Sequence, residues 1–134
     1  MIERFAIDTN VLVYLHDSYD TPKREKAIEL MAMSPIISGQ VISEYINVLR
    51  RILKISKTEL LQEVTSWLQF CEIFPIDFST LEHAHALILQ YDFQLFDALI
   101  VASAIQAECT ILYSEDMKNG LLVDDQLTIC NPFL

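Results

Sequence analysis

At 134 residues, 52% of them hydrophobic, with only two glycines and four prolines, the chain has the profile of one compact domain spanning residues 1–134, not of a disordered or low-complexity segment. A formal net charge of −10 excludes a broadly basic groove for a polyanion, although an acidic protein acts on one where its carboxylates gather divalent cations. The opening MIERFAID places Glu3 and Arg4 before a short apolar run, unlike a signal peptide, and no span approaches the ~18 apolar residues of a membrane helix, so the expectation is a cytoplasmic protein with no membrane contact.

In chain order, residues 5–8 predict a strand whose apolar run ends in Asp8, and residues 10–16 and 22–33 predict helices. Residues 35–38 predict the second strand. Residues 40–54 predict a helix, because Val41, Tyr45, Val48, Leu49 and Ile52 recur at i, i+4, i+7, i+8 and i+11. Glu44 lies on the border of that stripe. A helix over 57–70, a strand over 72–76 and a helix over 79–91 follow. Residues 97–108, opened by Asp97, are apolar almost all round, as in a helix buried inside the domain. Residues 110–114 predict the fourth strand, with Asp116 two residues beyond it, and 127–130 the fifth. Short strands alternating with longer helices predict an α/β fold, a parallel central sheet of about five strands covered by helices on both faces.

In such a sheet, ligands bind at the carboxyl ends of the strands. Asp8 and Asp116 follow strands at that edge. Glu44 sits in the first turns of a helix leaving it, and Asp97 begins a helix that must start there to feed the next parallel strand. Two carboxylates about 4 Å apart repel by roughly 4 kcal/mol at an effective dielectric near 20, so four together call for a cation. Hard oxygen ligands point to Mg²⁺ or Mn²⁺, one or two ions, and such a cluster suits phosphodiester hydrolysis. The Asn10 amide is placed to hold Asp8 or a bound water. The Ser114 hydroxyl is placed to orient Asp116 or a phosphate oxygen.

These residues give the chain its resemblance to the PIN-domain nucleases, and within them to VapC-type toxins of toxin–antitoxin pairs. FAIDTNVLVY with Asp8, QVISEY with Glu44, FDALIVASA with Asp97, ILYSEDMKNG with Asp116 and the closing NPF carry it. The resemblance implies a PIN-like three-layer α/β/α sandwich and an Mg²⁺- or Mn²⁺-dependent endoribonuclease. It also implies a homodimer, inhibited by a cognate antitoxin whose tail occupies the active-site groove. Asp8 becomes the central metal ligand, Glu44 and Asp97 further ligands or base, and Asp116 the fourth acid. The neighbouring Glu115 leaves that last register open by one residue.

Taken singly, Asp97 reads as a helix N-cap and Glu44 as a first-turn acid favoured by the helix dipole. Arg50, Arg51, Lys54 and Lys57 read as cations favoured at a helix C-terminus, far from the acidic rim. Lys118, near Asp116, is a better candidate for substrate contact. His16, His83 and His85 lack metal-type spacing. Trp67 and Phe70 fit a core or dimer face, and Cys71, Cys109 and Cys130 read as small buried hydrophobes. Two other functions compete. A haloacid-dehalogenase-type phosphatase would need an acid where Asn10 stands, and a catalytically silent PIN-like module would bind RNA or protein without cutting.

Overall fold

The computed structural model describes residues 3–134. Six strands form one sheet: β1 (Phe5–Ile7), β2 (Ile36–Ser38), β3 (Glu72–Phe74), β4 (Ile111–Tyr113), β5 (Leu122–Val123) and β6 (Leu127–Cys130), in the order β3-β2-β1-β4-β6-β5. The helices flanking it are α1 (Thr9–Val13), α2 (Pro22–Met31), α3 (Gly39–Leu53), α4 (Lys57–Leu68), α5 (Phe78–Tyr91) and α6 (Leu95–Gln106), with a 3-10 turn over Tyr14–His16 after α1. Every pairing is parallel except β5 with β6. The α/β architecture is the expected one, with one strand more than the five read from sequence. β5 has only two residues and turns back through Asp124 and Asp125, both at positive φ, so no alternating pattern marks it.

Local chemistry explains where the helices begin and end. The Thr21, Ser38 and Ser56 hydroxyls accept backbone N–H groups at the starts of α2, α3 and α4, and Pro22 follows Thr21. Asp77 and Thr80 form a reciprocal capping box on α5. Lys54 and Asp92, both left-handed, stop α3 and α5. Among the described residues no single helix is long and apolar enough to cross a membrane.

The core lies between sheet and helices, around the fully buried Ile7, Ile37, Leu112 and Ile129 of the central strands. α6 is buried continuously from Ala98 to Ala104, in keeping with its all-round apolar sequence. On α3 the buried stripe is Val41, Tyr45 and Leu49, while Ile52 is exposed because the helix is ending there. Cys109 is buried, and Cys71 and Cys130 are half-buried.

The strand order fixes where a ligand belongs. The chain runs from β1 outward to β2 and β3, then returns to the other side of β1 to lay down β4. The order therefore reverses between β1 and β4, which opens a crevice at their carboxyl ends. Ile7 pairs with Tyr113, so the next residues, Asp8 and Ser114, face each other across it.

Candidate active site

Asp8 is buried, only 5% exposed, directly after β1. Its backbone N–H donates to the Tyr113 carbonyl at 2.9 Å, which carries the sheet ladder to the rim. Its Oδ1 accepts the Thr9 N–H at 2.7 Å, so the carboxylate also caps α1. Its Oδ2 accepts the Ser114 hydroxyl at 2.7 Å and the Asn10 amide at 3.3 Å. Burial raises the Asp8 pKa. The bonds from Ser114 and the Thr9 N–H oppose that rise, the nearby Asp116 charge adds to it, and the Asn10 bond opposes it.

Asn10, in the first turn of α1, ties the end of β1 to the loop that follows β4. Its Nδ2 also donates to Asp116 Oδ2 at 3.1 Å, and its Oδ1 accepts the Glu115 N–H at 3.1 Å. Asp8 and Asp116 are thus held by one amide. Ser114 departs from expectation: its hydroxyl serves Asp8, not Asp116, and accepts the Met117 N–H at 3.2 Å. The cross-strand register leaves it no other choice, since Ser114 stands beside Asp8 while Asp116 is two residues farther out.

Glu44 and Asp97 complete the ring. Glu44 lies in the second turn of α3 and accepts the Gln40 amide at 3.1 Å. Burial raises its pKa, the Gln40 bond lowers it and Asp8 raises it again. Asp97 is not a helix cap: α6 starts two residues earlier, at Leu95, and its N-cap position is Gln94. It is a half-buried first-turn acid. Burial first, then the charges of Asp8, Glu44 and Asp116, push its pKa up to about 6. One carboxylate therefore feels the other three.

These groups line an open cleft of about 420 Å³, whose lining includes Asp8, Asn10, Glu44, Asp97 and the 115–116 pair together with the apolar Val13 and Val48. Glu115 and Asp116 differ in their partners. The Tyr14 hydroxyl donates to Glu115 Oε1 at 2.6 Å and the Lys23 ammonium to its Oε2, which holds this carboxyl below its usual range. Asp116 is exposed and bonded to Asn10. Glu115 is thus paired with a cation and a hydroxyl of the protein itself, whereas Asp116 accepts only the Asn10 amide among the described residues. Sequence reasoning missed Tyr14 and Lys23, which lie 101 and 92 residues from Glu115 and carry no pairing signal of their own.

The donor set suits a hard divalent cation: several carboxylate oxygens, one orienting amide, one orienting hydroxyl, and no sulfur or imidazole. Among the described residues no three acids, histidines or cysteines are drawn together tightly enough to coordinate one ion as they stand.

The remaining sequence candidates fall elsewhere. His16 packs on Tyr45 and Trp67, its pKa lowered by burial, and the Trp67 indole donates to Glu63. His83 bonds Asp124, and His85 and Phe70 are exposed, which removes Phe70 from the core. Lys118 is exposed and does not line the cleft. The basic cluster lies at the end of α3 and the start of α4, as expected, but Arg50 differs from the rest because it lines a second groove that shares Glu44 with the acidic cleft.

Comparison with protein-family models matches residues 5–118 to the PIN domain, and comparison with curated proteins finds no match. The fold is similar to a toxin–antitoxin complex from Klebsiella pneumoniae (TM-score 0.70, 21% identity, covering 96% of this chain and 97% of that one). It is also similar to VapC20 of Mycobacterium tuberculosis, described as a sarcin–ricin loop cleaving toxin (0.65, 18%, covering 84% and 89%). A third relative in fold is VapBC2 of Rickettsia felis bound to a DNA fragment from its promoter (0.67, 20%, covering 93% and 96%).

Proposed function

The chain belongs to the PIN domain family, and from that premise we propose that it is a metal-dependent endoribonuclease, the toxin of a type II toxin–antitoxin pair, with Asp8, Glu44, Asp97 and Asp116 as its acidic centre. The observation that carries this reading is the placement of four carboxylates around one cleft, at the reversal of strand order, with the Asp97 pKa raised by burial and by the charges of the other three. A fold that binds only RNA or protein gains nothing from such repulsion.

Asp8, Glu44, Asp97 and Asp116 would hold one or two Mg²⁺ or Mn²⁺ ions. When bound, these supply Lewis acidity to the scissile phosphate and acidity to an attacking water. The protein's own task is to aim the carboxylates. Ser114, Asn10 and the Thr9 N–H fix both oxygens of Asp8 and so hold its carboxylate in one orientation at the rim. The Asn10 amide keeps Asp116 on the same side.

A cytoplasmic location, a homodimer and a cognate antitoxin complete the proposal, the last drawing support from the similarity of fold to toxins solved with their antitoxins. The deciding experiment incubates the purified protein with total RNA and Mn²⁺ and maps the ends produced. Cleavage that EDTA stops supports the reading. Intact RNA at every divalent cation tried would leave a binding module instead.

Two smaller effects follow from the hydrogen bonding. Ser114→Ala removes a donor from Asp8 and a cap from Met117, and is expected to lower cleavage by roughly 10- to 100-fold while the protein still folds. Circular dichroism beside the rate assay checks both halves. Glu115→Gln is expected to cleave within a few-fold of the parent, because Lys23 and Tyr14 already occupy that carboxylate, whereas Asp116→Asn slows the reaction. The reverse ranking would move the fourth acid to Glu115.

A further inference from the structure

The acidic cleft raises the problem of how a chain of charge −10 retains a polyanion. A second groove, of about 510 Å³, adjoins the cleft and shares Glu44 with it. One wall is the polar edge of α3, where Gln40, Ser43, Asn47 and Arg50 recur at i, i+3, i+7 and i+10 on one helical face. The other wall carries Phe96, from the residue just before Asp97, with 54% of its surface in water.

Two features distinguish this groove from ordinary surface. The Arg50 guanidinium is steadied by Asn47 Oδ1 at 2.7 Å and, among the described residues, forms no ion pair. Arg4, Lys23, Arg24 and Lys26 all have acid partners, whereas among the described residues Arg50, Arg51, Lys54 and Lys57 form no ion pair, nor does the distant Lys118, and the first four follow one another around the end of α3 and the start of α4. Positive charge without an ion-pair partner therefore gathers at the far end of the helix whose start carries Glu44, and Arg50 is the member of that group that lines the groove. Phe96 is the second feature, an exposed aromatic face beside an acid of the site, where base stacking needs no particular sequence.

We propose that this groove is the track by which single-stranded RNA enters or leaves the acidic cleft, Arg50 contacting a backbone phosphate and the Phe96 ring stacking on a base. The proposal rests on the ribonuclease reading. Arg50 is about six helical residues, roughly 9 Å along the axis, beyond Glu44, so the phosphate it meets is a neighbour of the scissile one, not the scissile one itself. Substrate affinity then comes from one cation and one stacking face, without a basic surface.

The test measures anisotropy of a fluorescein-labelled, mixed-sequence single-stranded RNA in the Asp8→Asn background, across a salt series, with cleavage by the singly substituted proteins alongside. Phe96→Ala is expected to weaken binding on the order of tenfold with the salt slope unchanged, and Phe96→Trp to retain affinity. Arg50→Ala is expected to lower the slope of log affinity against log salt by about one. In cleavage both raise KM and leave kcat nearly unchanged, and Phe70→Ala, an exposed aromatic outside the groove, changes neither. If RNA binds but Arg50→Ala and Phe96→Ala match the parent in affinity and slope, the track is elsewhere and the groove is left to a protein ligand. If the parent neither binds nor cuts RNA, the ribonuclease reading itself fails.

Discussion

Asp97→Asn is expected to abolish metal-dependent RNA cleavage, by at least about a hundredfold, while raising the melting temperature of the cation-free protein. The two effects share one cause. Burial first, and then the charges of Asp8, Glu44 and Asp116, push the Asp97 pKa up to about 6, so its ionised form is unfavourable in the folded state. The side chain amide keeps the shape and removes the charge. The displacement from 3.8 to about 6 corresponds to at most about 3 kcal/mol, and solvent screening of a partly exposed group reduces it to about 1 kcal/mol. For a domain of this size that raises the melting temperature by roughly 3 to 4 °C. Cleavage goes the other way, because the cation loses an anionic oxygen donor. Differential scanning calorimetry in EDTA and a rate assay in Mn²⁺ read the two signs separately. A variant that is both inactive and less stable would mean that Asp97 supports the fold and not the site.

How much of this was legible in the sequence depended on how local each signal was. Asp8 announced itself as an acid closing an apolar run, and Glu44 lay at a definite phase of a helix with a clear apolar stripe. The sequence places Asp97 at the head of a buried helix but not at its true position in the first turn, because the two residues before it, Leu95 and Phe96, look like apolar core when the whole helix is apolar and no phase distinguishes its faces. Phe96 was hidden for the same reason, and only the structure places its ring in water. The choice between Glu115 and Asp116 had no local answer at all. The contacts that distinguish the two acids come from Tyr14 and Lys23, which reach Glu115 only once the loop after β4 is packed against α1, α2 and the turn between them. The antiparallel β5 was missed because its two residues are too few to show a period.

The same electrostatics gives the second large effect. Addition of Mn²⁺ at about one hundred times its dissociation constant is expected to raise the melting temperature by roughly 8 to 10 °C at pH 7.5 and by only a few degrees at pH 5. A ligand that binds only the folded state contributes about 2.7 kcal/mol at that excess, and the melting temperature follows at roughly 3 to 4 °C per kcal/mol for a chain of this size. The pH dependence comes from the acids themselves. Folded Asp97 holds its proton to about pH 6, whereas the unfolded chain releases it near pH 4, so its stabilising contribution is complete below about pH 4 and is lost as pH rises through 6. Asp8 and Glu44 are displaced in the same direction, again first by burial. The cation-free protein therefore weakens from pH 4 to pH 7. A divalent cation restores what the repulsion removed, but below pH 6 it must first displace protons, which lowers its affinity. Thermal scans at the two pH values, with and without Mn²⁺, test this directly. Glu115→Gln is expected to keep the full shift and Asp97→Asn to lose most of it, and equal shifts at pH 5 and pH 7.5 would show that the ion binds somewhere other than these carboxylates.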